Sequence, residues 1–501
     1  MSTFGAEVDA IWPEVKETVD LSAFGRKLLQ QCKTVEKPKT DKPADVSAFM
    51  DKSREFPLAF GVESCRVMSQ PVERYKTIAE QITSVYPIIH ERTLKLYLEY
   101  LEHKSQWGNS VEKPVYQGLS LCDFVQRLLT KRCASFFARN DKFLLLTGET
   151  GASGFEPIGT PAEEAPLQLQ HVLSYDDVKL SALLAVSSHT EFINEGERTN
   201  CGRVSKNREF VEPDGVIVGM IGARLSRRNL MEFQDIVIAS AQNTTEKGYG
   251  LAVEAPAKTR SQDYRRIWRR FYETRDKLRS EVAIDGKRFG VSGNKQDVFD
   301  NLVMKRRYAI SFDLLLLETE ARAAAAGKLA YLHVVGFGLG VWKVAPQQEQ
   351  IFLETFEQRL RVLGPQLKHI AVVHFSWFKL TRCGGLHDGA VIHQSAEHPA
   401  GGINIQISKR NPADKLYEPE HDNMLLVVSY AWDGNALPGN EYWMKMLKST
   451  GDSSTACSTL ITELHNPHIN TDYCNGNNLH IASIKYGVLH ISEYAKRILK
   501  D

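Results

Sequence analysis

The chain has 501 residues, 43% hydrophobic and 25% charged, the proportions of a soluble globular protein of two or three domains rather than one ordinary core. Its formal net charge is +1, which excludes a global field drawing it to nucleic acid or an anionic membrane, so any anionic ligand must be captured locally. The eight cysteines, at 32, 65, 122, 133, 201, 383, 457 and 474, form no C-x-x-C; neither a zinc knuckle nor a disulfide frame is indicated, and reduced thiols in a cytoplasmic protein is the simplest reading.

The opening stretch, MSTFGAEVDAIWPEVKETVDL, is acidic and amphipathic and lacks the basic region and apolar core of a signal peptide. No stretch approaches the ~18 to 20 apolar residues needed to span a bilayer. A Lys/Pro/Asp run at 33–48 predicts a solvated loop. Apolar residues at three- and four-residue spacing through YKTIAEQITSVYPIIHERTLKLYLEYLEHK predict helix, so residues 1–110 read as a helical region.

Residues 111–284 change texture and read as an α+β region. The runs DKFLLLTGE, KLSALLAVSS, GVIVGMIGARL and FQDIVIASA are β-like and bounded by Gly, Asn and Asp. DYRRIWRRFYETRDKLRSEV, at 263–282, predicts a charged, aromatic helix whose basic stripe is a solvated face, with phosphate contact as the alternative.

Residues 285–501 alternate strand and helix. KLAYLHVVGFGLGVW, IAVVHFSWF, GINIQIS, NMLLVVSY and LHIASIKYG read as strands, PQQEQIFLETFEQRLRVLG and the surroundings of TACSTLITELH as helices. Near-continuous apolar strands separated by helices imply an α/β domain with its sheet covered on both faces, and a ligand at the C-terminal strand edges.

Four loops of this last third carry candidate chemistry. In VVGFGLGVWKVAPQQEQ a strand enters a turn with Gly336, Gly338 and Gly340, and a helix begins near Pro346. Such glycines admit backbone N–H groups close to a diphosphate, although the spacing is neither the dinucleotide fingerprint nor a P-loop, and a plain strand-to-helix turn explains it equally well. In AWDGNALPGNEYW, Asp433, Asn435, Asn440 and Glu441 follow a buried strand within nine residues. Two carboxylates plus amides suit a sugar and an attacking water; turn formation by Asp433 and Asn435 with core tryptophans is the plainer account. In GDSSTACST, Asp452 suits helix capping, yet it lies eleven residues past Glu441, near enough for one loop system to unite Asp433, Glu441 and Asp452. His465 and His468 form an i, i+3 pair without a third metal ligand, and no metal is expected. The Gly-paired loops around His387, Asp388 and Asn404 read as site walls or as linkers.

Taken together, VVGFGLGVWKVAPQQEQIFLETF, WDGNALPGNEYW, TGDSSTACST and ELHNPHIN resemble a divergent, apparently permuted macrodomain, closest to the MavL-type family of ADP-ribosylarginine hydrolases. The resemblance covers 285–501 and leaves the N-terminal half as an extension. It implies a macrodomain-like three-layer α/β/α catalytic domain over 285–501, with no cofactor and with ADP-ribose as ligand or product. By position, Gly336, Gly338, Gly340, Val341 and Trp342 match the diphosphate loop, Asn435 the ribose-facing Asn with Asn440 beside it, and Asp433, Glu441 and Asp452 the catalytic acids. The chemistry suits water or ribose activation by Asp433 and contact with the guanidinium by Glu441 or Asp452, and exchanging these roles fits the sequence as well. The implied partner is an ADP-ribosylated protein such as ubiquitin.

Three N-terminal segments, around Tyr116, Ser187 and Asp235, faintly resemble an ADP-ribosyltransferase, but the E-x-E pair that chemistry needs is replaced by EFQD, so a non-catalytic remnant or plain β structure is expected. The competing functions are an ADP-ribosylarginine hydrolase, a reader that binds ADP-ribose or a related nucleotide without cleaving it, and a carbohydrate or nucleotide-sugar hydrolase of another class. Clustered acids favour the first over the reader, which has no use for carboxylates that repel its anionic ligand.

Overall fold

A computed structural model describes residues 4–12, 20–294 and 296–500, so the amphipathic N-terminal stretch falls partly outside the described residues. The apolar runs pair into one ten-stranded sheet. In chain order its strands are β1 Tyr86–His90, β2 Leu184–Glu191, β3 Asp214–Met220, β4 Ala330–Val334, β5 Ile370–Ser376, β6 Val391–Ile392, β7 Ile403–Ser408, β8 Leu425–Ala431, β9 His480–Ser483 and β10 Gly487–His490. Across the sheet the order is β6-β7-β5-β4-β8-β3-β2-β1-β9-β10. The run from β7 to β3 is parallel throughout. β2 is antiparallel to both neighbours, β1 and β9 are parallel, and β6 and β10 add antiparallel edges.

The mixed α/β class agrees with expectation, but the stretches 1–110, 111–284 and 285–501 all contribute strands to this one sheet, so boundaries at 110 and 284 cut through it. Changes of texture along a chain report the local element and not its pairing partner. β1 shows the same limit. The helix expected across 75–104 is in fact a helix Tyr75–Thr83, the strand β1, and a second helix Glu91–Trp107. Its Pro-Ile-Ile fits either period, and the decision rests on Ile88 aligning with His480 on β9.

Pleating sends Leu332, Val334, Val373, Phe375 and Val427 to one face of the sheet, and Ile217, His333, Val428 and Tyr430 to the other. The first face is covered by α2 (Asn301–Ala326) and α3 (Gln348–Leu363), with Phe356 against Phe375 at 4.9 Å between ring centroids and Phe312 against Phe352 at 4.6 Å. The N-terminus of α2 is capped by Asp300, whose carboxylate accepts from the N–H groups of Leu302 and Val303. Up to its exposed last turn the helix shows no amphipathic stripe because it is buried on nearly every side; Leu314, Leu315, Leu316 and Leu317 are all inside.

The basic helix α1 (Arg260–Tyr272) corrects an expectation: Arg265 and Arg269 are buried, and Arg260, Arg266 and Arg270 are half-buried and paired with acids. Arg265 is buried between Asp235 at 2.7 Å and Asp276 at 3.0 Å, while Lys179 pairs with the same Asp235 at 2.7 Å and sits over the Trp268 ring. A helical wheel shows where charges lie, but the acids that neutralise them come from other segments. The transferase-like segments are core as well: Ser187 lies in β2 and donates to Glu318, and the Tyr116 hydroxyl donates to Asp177. Among the described residues, no helix is long and apolar enough to cross a membrane.

Candidate active site

The loops leaving the C-terminal ends of the parallel strands gather around one cleft of about 580 Å³. In strand order the edge presents Trp377 after β5, the glycine-rich loop after β4, Asp433 after β8 and Gly222 after β3. The floor is the second sheet face, with Ile217, His333, Val428 and Tyr430, and Thr450 and Ser454 bring up the wall at the short helix α4 (Gly451–Ala456).

Gly336, Gly338, Gly340, Val341 and Trp342 all line this cleft. The loop needs glycine for a reason that sequence does not show. A Cβ on Gly222 would stand 2.3 Å from the Gly338 Cα and 2.4 Å from its N, so two backbones touch. Gly338 also has φ of +77°, the left-handed region. Gly222, inside the run GVIVGMIGARL, carries no local signal of this role.

The acid loop is tied together from within. Asp433 is half-buried and lines the cleft, and the Asn440 amide donates to its Oδ2 at 2.8 Å. Asp452 is fully buried and accepts from the backbone N–H of Asp433 at 3.0 Å and of Gly439 at 2.8 Å, clasping both ends of the loop. It is not the helix cap, a task taken by Thr450, whose hydroxyl accepts from the Ser453 N–H. Glu441 is buried and accepts from the Thr450 hydroxyl at 3.0 Å. The structure thus brings the three acids into one loop system, but only Asp433 is on the cleft wall.

The two asparagines differ from expectation. Asn435 and Asn440 are buried and line no part of the cleft; both amides donate to the Phe136 carbonyl, and the Asn440 Oδ1 accepts from the Phe136 N–H at 2.8 Å. They anchor the loop on the short strand Ser135–Phe137, a partner some three hundred residues away in sequence. Trp432 reaches the cleft with Arg132 over its ring, whereas Trp443 packs in the core against Phe56 and Phe60. His465 and His468 turn to different partners, the Ser188 hydroxyl and the Thr130 carbonyl. The loop around His387 and Asp388 lies off the cleft, and Asn404 is within β7.

Electrostatics follows from burying acids together. Burial pushes the Asp433 carboxyl up to about 6, although the Asn440 hydrogen bond and the Arg224 charge lower it. Burial, then the Asp433 charge, pushes Glu441 up to about 7, and the same causes hold Asp452 well above its ordinary range. Each folded value lies above its unfolded one, so the stabilising protonation is complete below the ordinary carboxylate range and is lost as pH rises through 6 to 7. Glu441→Gln removes one of these ionisations and keeps an acceptor for Thr450. Urea unfolding at several pH values should then show a shallower stability loss between pH 5 and 8 than in wild type; an unchanged slope would refute the coupling.

Trp377 was not foreseen. It is 59% exposed and has φ of +64°, an unfavourable conformation for a bulky residue, held by its N–H to the Ser408 carbonyl and its indole N–H to the Arg410 carbonyl, both at 3.1 Å.

The chain belongs to the MavL-like ADP-ribosylhydrolase family, whose model matches residues 47–497. Two Drosophila melanogaster proteins, each named ADP-ribosylarginine hydrolase, are similar to it along their length. One is 67% identical over 502 residues, covering 100% of this chain and 99% of the relative; the other is 53% identical over 493 residues, covering 98% and 95%. The family match takes in the N-terminal half as well as the last third, in keeping with strands drawn from both into one sheet.

Proposed function

We propose that this protein hydrolyses the bond between ribose C1″ and an arginine nitrogen on an ADP-ribosylated protein such as ubiquitin, in a macrodomain-like cleft and in the cytoplasm. The observation that carries the reading is the strand order: Trp377, the glycine loop and Asp433 follow β5, β4 and β8, adjacent strands at one sheet edge. Adjacent strands set these three groups in the order in which a base, a diphosphate and a distal ribose follow one another along ADP-ribose. The names of the two fly relatives supply the linkage.

In this reading the diphosphate takes backbone N–H groups of the 336–342 loop, and the base lies against the indole of Trp377. Asp433 stands at the distal ribose. With a pKa of about 6 it is mostly ionised at neutral pH, yet basic enough to accept a proton. It stabilises the oxocarbenium-like transition state and takes a proton from the water attacking C1″. The C1″–N electron pair leaves with the arginine nitrogen, and the proton passes to the departing guanidine to give guanidinium. Asp452 and Glu441 act as positioning groups, the first by holding the loop and the second through Thr450.

The test is release of ADP-ribose from arginine-ADP-ribosylated ubiquitin, with calorimetry of free ADP-ribose alongside. Release with binding is expected. Binding without release would favour a reader, an alternative that draws on only one of the three expected acids standing at the cleft wall; neither binding nor release would make the glycine loop structural. A second result follows for the base. Trp377→Ala should weaken ADP-ribose binding ~10-fold with kcat little changed, since stacking contributes about 1–3 kcal/mol per base. Ribose 5-phosphate, which lacks a base, should bind equally to both proteins; equal weakening of both ligands would remove Trp377 from the base site.

A further inference from the structure

A second hollow of about 670 Å³ shares Gly340 with the cleft. Its walls continue the two loops that touch at Gly222 and Gly338: Lys343, Val344 and Ala345 on one side, Leu225, Ser226 and Arg228 on the other. These loops follow β4 and β3, and of the strands whose loops meet at the cleft β3 lies farthest from β5 and Trp377. Ser292, Asn294 and Asp297 supply a third side, and Arg139 a fourth.

Arg139 sits in an exposed turn that is anchored at Asp141. Ala138 and Asp141 on either side of it have φ of 66° and 48°. Asp141 is fully buried, paired with Arg224 at 2.8 Å and Arg227 at 3.1 Å, and accepts the Tyr175 hydroxyl at 2.6 Å. Three residues before Arg139, Phe136 is bonded to Asn440, which is bonded to Asp433. Three residues of chain span at most ~10 Å, so the hollow is tied to the reactive end of the cleft.

The charge of this hollow is unbalanced. Arg139, Arg228 and Lys343 face one acid, Asp297, and that acid is engaged by Arg228 at 2.7 Å. Arg139 and Lys343 form no ion pair among the described residues. In a chain of net charge +1, this is a local device.

We propose that the hollow receives acidic side chains flanking the modified arginine of the protein substrate. The inference rests on the functional reading above. With base and diphosphate extending toward Trp377, the arginine and its polypeptide leave by the opposite end, where Arg139 and Lys343 offer unpaired cations to carboxylates. The basic hollow would then set which arginines are served, by the charge of their neighbours.

The experiment compares three substrates: an ADP-ribosylarginine peptide with Asp and Glu flanks, the same peptide with Lys flanks, and ADP-ribosylagmatine, which has no flanks. Wild type should prefer the acidic peptide about tenfold in kcat/KM at low salt, less at high salt. The double variant Arg139→Gln/Lys343→Gln should lose that preference and leave ADP-ribosylagmatine unchanged. Arg139→Glu/Lys343→Glu should turn the preference toward Lys flanks, with thermal melting as the check of folding. Equal slowing of ADP-ribosylagmatine would assign the cations to the phosphates of ADP-ribose and overturn the proposal. So would the absence of any flank preference in wild type. Absence of release from all three substrates would instead overturn the functional reading, and this inference with it.

Discussion

Asp433→Asn should lower the rate of ADP-ribose release ~10²–10⁴-fold, the range expected for removing a general base. The substitution is nearly isosteric, and an amide oxygen still accepts from Asn440, so the loop should hold its shape. Free ADP-ribose should bind as well or better, because the cleft wall loses a negative charge while the ligand keeps its own. Asp452→Asn provides the contrast. There one of two backbone N–H groups, on Asp433 or Gly439, would face an amide N–H, and stability should fall together with activity. Release assays, calorimetry and thermal melting on both variants separate a reacting group from a clasp. An Asp433→Asn protein that turns over at the wild-type rate would send the search for the base elsewhere.

Gly222→Ala should damage binding and fold at once. Its Cβ would meet the Cα and N of Gly338 and, at 2.9 Å, the carbonyl carbon of Phe337. All three are backbone atoms, so no rotamer change relieves them and the two loops must part. Overpacking of this kind typically costs about 1–3 kcal/mol. Displacing the glycine loop by an ångström should lower kcat/KM ~10²-fold. Gly340→Ala is the control for the fold, since a Cβ there has nothing within 4 Å. If Gly222→Ala melts with Gly340→Ala and binds ADP-ribose normally, the contact is not what shapes the cleft.

Much of this was legible where one residue type answers one physical need. β4, β5 and β8 are mostly apolar runs because they are buried on both faces, β7 alternates apolar and polar residues, and all four read as strands at once. The glycine loop was legible because glycine marks close approach, and Asp433 because a carboxylate just past a buried strand is unusual. Long-range partners were not. Asn435, Asn440 and Asp452 stand out as polar residues, but what each one binds, the Phe136 backbone or the N–H of Asp433 and Gly439, is invisible in their neighbourhood. The buried partners of Arg265 are hidden for the same reason, as is the collision that makes Gly222 necessary. A left-handed tryptophan at 377 leaves no trace in composition at all.

The pairing of β1 with β9 also bears on how the protein is made. Ile88 aligns with His480, so at ~5–20 residues per second a ribosome needs roughly 20–80 s to supply the second strand after the first. Until then β1 can pair only with β2 and presents an open edge, the kind of surface that invites aggregation and chaperone capture. Such non-local pairing also predicts slow folding, because much of the chain must be closed into loops before the contacts form. The acid loop after β8 is complete earlier than β9, yet the sheet that carries it closes only when the far strand arrives. A chain ending before 480 should therefore leave the ribosome with every expected site residue and fail to keep them in place.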